Sequence, residues 1–167
     1  MPQVRVLMPS PIGPLGIELT GTSVTLLRFA PAEPELSTFV PLHRIDGSDF
    51  FDEVFGRLSE YFAGARRKLD LAIDLGSCGA NVLVRRVLKE TARIPYGKTR
   101  TYQVLAEASK VPEGAFGVET ILHKNPIPIL IPCHRAVAAP LEVGGYVGGR
   151  ERKLWLLDLE QQGSELV

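Results

Sequence analysis

Apolar residues come in three short β-branched runs at the start of the chain, Val4 to Met8, Leu15 to Leu19 and Val24 to Phe29. Their loose alternation with polar residues predicts strands, and Pro11-Ile-Gly-Pro14 and Gly21-Thr-Ser23 predict the turns between them. Residues 30–46 are rich in Pro and Glu and read as a connection, with room for an edge strand at Thr38 to Leu42. The period then changes. Phe51, Val54, Phe55, Leu58, Tyr61 and Phe62 recur at helical spacing, behind a cap at Ser48 or Asp49 and ahead of a stop at Gly64. Arg66 to Leu75 alternates loosely, which suits either a return to the sheet or a linker.

A second helical stripe follows Asn81: Leu83, Val84, Val87, Leu88, Thr91 and Ile94, closed by Pro95 and Gly97. Gly76, Gly79 and Ala80 loosen the chain just before it. The boundary between two domains is therefore expected at 76–81, giving residues 1–78 and 79–167. Next come a helix over about 102–110, a break at Val111-Pro112 and a helix over about 113–123, the dimensions of a helix-turn-helix. Helical hairpins are common and mostly structural, so this pattern alone does not specify DNA binding. Pro126, Pro128 and Pro132 forbid a helix over 125–132, where the intervening residues are bulky and apolar. An extended, buried segment is expected, delivering Cys133-His134-Arg135 to a fixed place. After the glycine-rich stretch Gly144 to Gly149, a last helix is predicted from about Arg150 to Glu160, with Leu154, Trp155 and Leu157 or Leu159 to pack.

Composition narrows the classes without choosing among them. The 167 residues are 45% hydrophobic and 23% charged, a globular balance. No apolar run approaches the ~18 residues that span a bilayer, so no membrane helix is expected, and the first residues lack a secretory apolar core. Two cysteines are too few for a disulfide scaffold and fit a reducing, cytoplasmic setting. Basic and acidic residues balance at 19 each, but unevenly along the chain. Residues 85–135 hold nine basic and four acidic side chains, a local excess of five positive charges. That excess coincides with the helix pair and favours a nucleic-acid partner, although a solvated surface would look the same.

Cys133 is the candidate nucleophile, since a thiolate attacks and needs a group to take its proton. His134 and Arg135 are adjacent, but neighbours on an extended strand point to opposite faces, and a lone cysteine is commonly an inert core residue. No metal is expected: Cys78, Cys133, His43, His123 and His134 show no ligand spacing. Cys78 sits on the glycine-rich connection and is read as incidental. Tyr102 opens the first short helix and reads on its own as a core aromatic; Asn125 before Pro126 reads as turn chemistry.

The strings "IPYGKTRTY", "PIPILIPCHRAV" and "GGYVGGRERKLWLLDLE", in that order and spacing, closely resemble the O6-alkylguanine-DNA alkyltransferases, also called methylated-DNA–protein-cysteine methyltransferases. The N-terminal "SPIGPLGIELTGTSVTLLRF" and "YFAGARRKLDLAIDL" resemble the first domain of that family, so the likeness covers almost the whole chain. The resemblance implies an α/β N-terminal domain, a small antiparallel sheet plus helix, followed by a mostly α C-terminal domain containing a helix-turn-helix. It implies a monomer that binds double-stranded DNA in the minor groove, flips the alkylated base out and needs no cofactor. Cys133 would take the alkyl group from guanine O6 once and keep it as a thioether. His134 would deprotonate Cys133 through a water, with Glu160 holding the histidine. Asn125 would fix the segment carrying Cys133, and Tyr102 would donate a hydrogen bond to the flipped base. Lys153 and the Val147 backbone would line the pocket. Lys98, Lys124 and Arg135 are the candidate phosphate contacts, with Ala115 and Phe116 facing DNA.

Two positions depart from the family pattern. Phe116 stands where the family usually carries an Arg that fills the hole left by the flipped base, and Glu119 stands in place of a small residue. Phe can wedge between bases but adds no charge, and a glutamate there is expected to face phosphate. These departures keep two alternatives open: a relative retargeted to a free base or small alkylating molecule, and a non-catalytic module that binds DNA damage.

Overall fold

The computed structural model describes residues 3–29, 35–41, 49–76 and 79–165. The chain divides into two units, Met1–Asp74 and Leu75–Val167. In the first, the three alternating runs form the strands β1 (Gln3–Met8), β2 (Leu15–Thr20) and β3 (Ser23–Phe29), an antiparallel meander. Register puts Val6 opposite Ile17 and Ile17 opposite Leu27, so one face carries an apolar row in which no residue is more than 1% exposed. A short strand β4 (Val40–Pro41) lies parallel on the other edge of β1, giving the order β3-β2-β1-β4. It occupies part of the edge strand expected at Thr38 to Leu42. The preceding turn, Glu35–Thr38, is a 3-10 helix, and Leu42 lies outside the described residues.

Helix α1 (Asp49–Phe62) buries all six residues of its predicted stripe. The cap expected at Ser48 lies outside the described residues. Arg66 to Leu75 returns to the sheet by a single bridge: Val24 N–H donates to Ala72 O, and Asp74 N–H donates to Val24 O, at 2.9 and 3.0 Å. Arg57 Nη1 secures that return by donating to the carbonyls of Leu69 and Asp70.

The second unit opens with α2 (Val82–Ala92), capped by Asn81, whose side chain accepts from Val84 N–H. Val87, Leu88, Thr91 and Ile94 are buried, whereas Leu83 and Val84 are only half-buried. The helix pair forms as α3 (Tyr102–Ser109), capped by Thr101, and α4 (Gly114–Leu122). α3 ends on Lys110 in the left-handed region, and α3 and α4 pack on each other and on α2. The turn is tight at Gly117, where a Cβ would fall 2.6 Å from Val111 Cγ1, so a larger residue would push α4 off the turn.

The segment 125–132 corrects the expectation of an extended strand. It is buried, but it folds into a turn: Ile131 N–H donates to Ile127 O at 2.9 Å, and Ile129 takes φ 74°. The prolines exclude a helix, yet their fixed φ suits a turn as well as an extended chain. Cys133–Arg135 is likewise one turn of 3-10 helix, not a strand. A two-residue strand β6 (Ala136–Val137) pairs in parallel with β5 (Arg100–Thr101), just ahead of Tyr102. Helix α5 (Arg150–Glu165) buries Lys153, Leu156 and Glu160, three residues on one face. Leu154, expected to pack, is exposed, because the buried face of α5 is built partly of charged residues.

Candidate active site

Cys133 is 3% exposed at the start of its 3-10 turn, where Asn125 meets it. Asn125 uses its whole amide: Nδ2 donates to Ile131 O at 2.9 Å and to Cys133 Sγ at 3.1 Å, and Oδ1 accepts from Ile127 N–H at 3.1 Å. One side chain thus pins both ends of the 127–131 turn and touches the sulfur. Burial pushes the Cys133 thiol up to about 11. The Asn125 hydrogen bond, the Lys153 charge and the backbone N–H groups of Cys133 and His134 work against that rise without cancelling it. The resting sulfur is therefore a thiol at neutral pH and needs a base before it can attack.

His134 is fully buried, and its Nε2 lies 2.8 Å from Glu160 Oε1. Burial holds His134 below its ordinary value, with Arg135 and Lys153 adding to that effect and Glu160 opposing it. Burial alone would raise Glu160, but His134 and Arg135 outweigh it and hold the carboxyl well below the usual carboxylate range. An ionised carboxylate only accepts, so Nε2 carries the proton and Nδ1 carries the basic lone pair. Glu160 also accepts from Arg135 Nε and Nη2 at 2.9 Å each and from Gly97 N–H at 3.1 Å. The histidine is thereby locked in one tautomer.

Arg135 was expected at phosphate. The structure corrects this: its guanidinium is committed to Glu160, donates from Nη1 to Ile94 O at 2.7 Å and lies 5.7 Å from the Tyr96 ring. A cation clamped bidentately by a buried carboxylate is not on offer to DNA. Lys98 and Lys124 are exposed.

Across from the sulfur, Lys153 Nζ donates to Ala136 O at 2.6 Å, Gly145 O at 2.9 Å and Tyr102 Oη at 3.2 Å. Tyr102 Oη donates to Gly145 O at 3.1 Å. Burial lowers Lys153 to about 8, opposed by Cys133 and Glu119. Burial, Glu119 and Cys133 together raise Tyr102 well above its ordinary value, so the phenol stays protonated and can act only as a neutral donor. Val147 is half-buried in the same stretch. The Tyr146 ring stands edge-on to His134 at 6.3 Å.

The two residues expected to face DNA, Ala115 and Phe116, fall on α4. Phe116 is 74% exposed in the first turns of α4, and Ala115 beside it is half-buried. Glu119, expected to face phosphate, is half-buried, and its Oε1 accepts from Gly145 N–H at 3.2 Å. No residue type or spacing announced that contact. The fixed tautomer is likewise visible only in the fold, since Glu160 lies 26 positions from His134.

This chain matches two family profiles. Residues 4–75 match "6-O-methylguanine DNA methyltransferase, ribonuclease-like domain", and residues 83–162 match "6-O-methylguanine DNA methyltransferase, DNA binding domain". The chain is 38% identical over 156 residues to the methylated-DNA–protein-cysteine methyltransferase of Mycobacterium leprae, covering 92% of this chain and 90% of that protein. It is 32% identical to that of Methanosarcina acetivorans, covering 90% and 94%. Among solved structures, Mycobacterium tuberculosis OGT in complex with DNA superposes with a TM-score of 0.81 at 34% identity, over 95% of this chain and 93% of that one.

Proposed function

Since this chain belongs to the methylated-DNA–protein-cysteine (O6-methylguanine DNA) methyltransferase family, we propose that Cys133 is the residue that receives the alkyl group. The protein repairs DNA by moving an alkyl group from guanine O6 to a cysteine of its own. The observation that carries the residue assignment is the Asn125–Cys133–His134–Glu160 cluster: a buried thiol beside a neutral histidine whose proton is pinned by a carboxylate.

The chemistry follows from those protonation states. His134 Nδ1 takes the thiol proton through a water, and Glu160 stabilises the imidazolium that forms. The thiolate attacks the alkyl carbon, an S–C bond forms, and the C–O6 bond breaks with its electron pair staying on guanine. Tyr102, held neutral, donates to the leaving base. The thioether is not hydrolysed, so each molecule acts once. Because Cys133 is buried, the base must leave the stack to meet it; the protein binds duplex DNA through α3 and α4 from the minor groove, as a monomer, with Phe116 entering the stack. Lys98 and Lys124 meet phosphate, and Lys153 with the Val147 backbone lines the alkyl pocket.

Intact-protein mass spectrometry after incubation with methylated duplex DNA tests this reading. The wild-type chain is expected to gain one methylene, located on Cys133. A gain from the free modified base but not from DNA would favour the retargeted alternative, which Phe116 and Glu119 motivate. No gain from either would leave a binding module.

A further inference from the structure

Glu119 joins the second helix of the helix pair to the stretch that carries the alkyl pocket. Its Oε1 accepts from Gly145 N–H at 3.2 Å, while the Gly145 carbonyl accepts from Tyr102 Oη at 3.1 Å and Lys153 Nζ at 2.9 Å. Gly145 is thus gripped at both ends of its backbone. On the Cβ side there is no slack: a Cβ on Gly145 would fall 2.6 Å from His123 Nε2, and one on Gly144 would fall 2.6 Å from Tyr102 Oη. Glu119 and His123 share one face of α4, four positions apart, and His123 Nδ1 lies 3.0 Å from the Glu119 carbonyl. Glu119 is close enough to Tyr102 and Lys153 to act on both electrostatically, and both also feel Cys133. The segment that Glu119 holds therefore abuts the groups around the sulfur.

We propose that Glu119 is a positioning residue that sets which alkyl groups this protein accepts, by clasping Gly145 and keeping the 144–147 segment closed beside Cys133. The proposal rests on Cys133 being the alkyl acceptor. With the clasp in place, the segment leaves room for a small group and orients it. Without it, the Gly145 N–H loses its acceptor, the segment moves away from the sulfur, and large groups gain access while small ones lose their alignment.

The test is single-turnover transfer to the full chain from one duplex sequence carrying either O6-methylguanine or O6-benzylguanine. Changes in DNA affinity from altering a charge on α4 cancel in the ratio of the two rates. Glu119→Ala should raise the benzyl-to-methyl ratio about threefold to tenfold, the worth of one hydrogen bond, or confer benzyl transfer if the wild type has none. Glu119→Gln keeps an oxygen for the Gly145 N–H and should hold the wild-type ratio. A wild-type ratio in Glu119→Ala overturns the proposal, and so does a Glu119→Gln that behaves like Glu119→Ala, since charge and not the clasp would then be responsible. If the wild type accepts neither group, it is the alkyl-transfer reading that fails.

Discussion

Two regions of the C-terminal unit are held in opposite ways. Around Cys133, the residues Asn125, His134, Arg135, Lys153 and Glu160 are at most 8% exposed, and each has partners at hydrogen-bond distance. On α4, Phe116 is 74% exposed; Lys98, ahead of β5, and Lys124, just past α4, are open to solvent. The first region is over-determined: changing one residue strands its neighbours in a dry site, where an unpaired polar group is costly. The second is free to vary, because water replaces any partner lost. This accounts for where the chain departs from its family. Phe116, at the position where the resemblance implies an Arg, is exposed; the other departure, Glu119, meets the cluster through the Gly145 backbone, while Asn125, Cys133, His134 and Glu160 are the residues the resemblance implies.

The largest effects should therefore come from the buried cluster. Cys133→Ala should abolish the mass gain from alkylated DNA while costing only about 1 kcal/mol of stability, the ordinary cost of a small core change. Cys133→Ser should be equally inactive, since a hydroxyl is far less nucleophilic near neutral pH. A mass gain in the Ala variant would show that the acceptor lies elsewhere.

Glu160→Gln comes next and acts on both rate and stability. It leaves the Arg135 cation without its carboxylate, and breaking a buried pair in this way costs roughly 3–5 kcal/mol. It also removes the anion that steadies the imidazolium, so transfer should slow and its rate–pH profile should move to higher pH. The stability effect has a defined pH sense. The folded-state pKa of Glu160 is depressed, so its contribution is complete above its ordinary value of 4.5 and is lost as pH falls below it. Denaturation midpoints of wild type and variant should converge as the solution is acidified. A gap that stays constant into acid, with an unmoved rate profile, would take Glu160 out of the relay.

At the exposed region the effects shrink. Stacking of a base on an aromatic side chain is worth about 1–3 kcal/mol, so Phe116→Ala should weaken duplex binding or slow transfer roughly tenfold. It should not change the salt dependence, because Phe neutralises no phosphate. Phe116→Arg should steepen that dependence. Equal rates and equal salt slopes in all three proteins would mean that Phe116 does not touch DNA.

The same contrast explains what could be read from the sequence. Helix α1 is legible because it buries one apolar face, so period and burial coincide: Phe51, Val54, Phe55, Leu58, Tyr61 and Phe62 follow from spacing and all are buried. The resemblance supplies the cluster around Cys133 and two of its links, Glu160 to His134 and Asn125 to the Cys133 segment, but not the links of Arg135 to Glu160 and of Glu119 to Gly145. Lys153 and Glu160 share the buried face of α5 with Leu156, so hydrophobic periodicity misplaced that face onto Leu154. Three prolines excluded a helix over 125–132 but could not distinguish an extended chain from the turn at Ile129. β5 and β6 are two residues each, too short to show any period. In sequence Arg135 is one more cation of a basic segment and a candidate phosphate contact. Only its contact with Glu160, 25 positions away, reveals it as part of the core. The contact of Glu119 with Gly145, 26 positions away, is likewise beyond any local pattern.

The smallest effect tests the distinction between exposed and buried cations of one basic segment. Each phosphate neutralised by a lysine releases counterions, so losing such a lysine lowers the slope of log affinity against log salt by about 0.9. Lys124→Ala, and separately Lys98→Ala, should each lower the slope by about that amount with no change in melting temperature, since both side chains are exposed. Arg135→Met removes the same formal charge but should leave the slope unaltered and lower the melting temperature, because its guanidinium serves Glu160 and Ile94 O. The measurement is duplex affinity at several salt concentrations, taken below the reduced melting temperature of the Arg135 variant. A reduced slope in Arg135→Met would place that cation at the DNA after all. An unchanged slope in both lysine variants would move the phosphate contacts to other basic residues of the 85–135 segment.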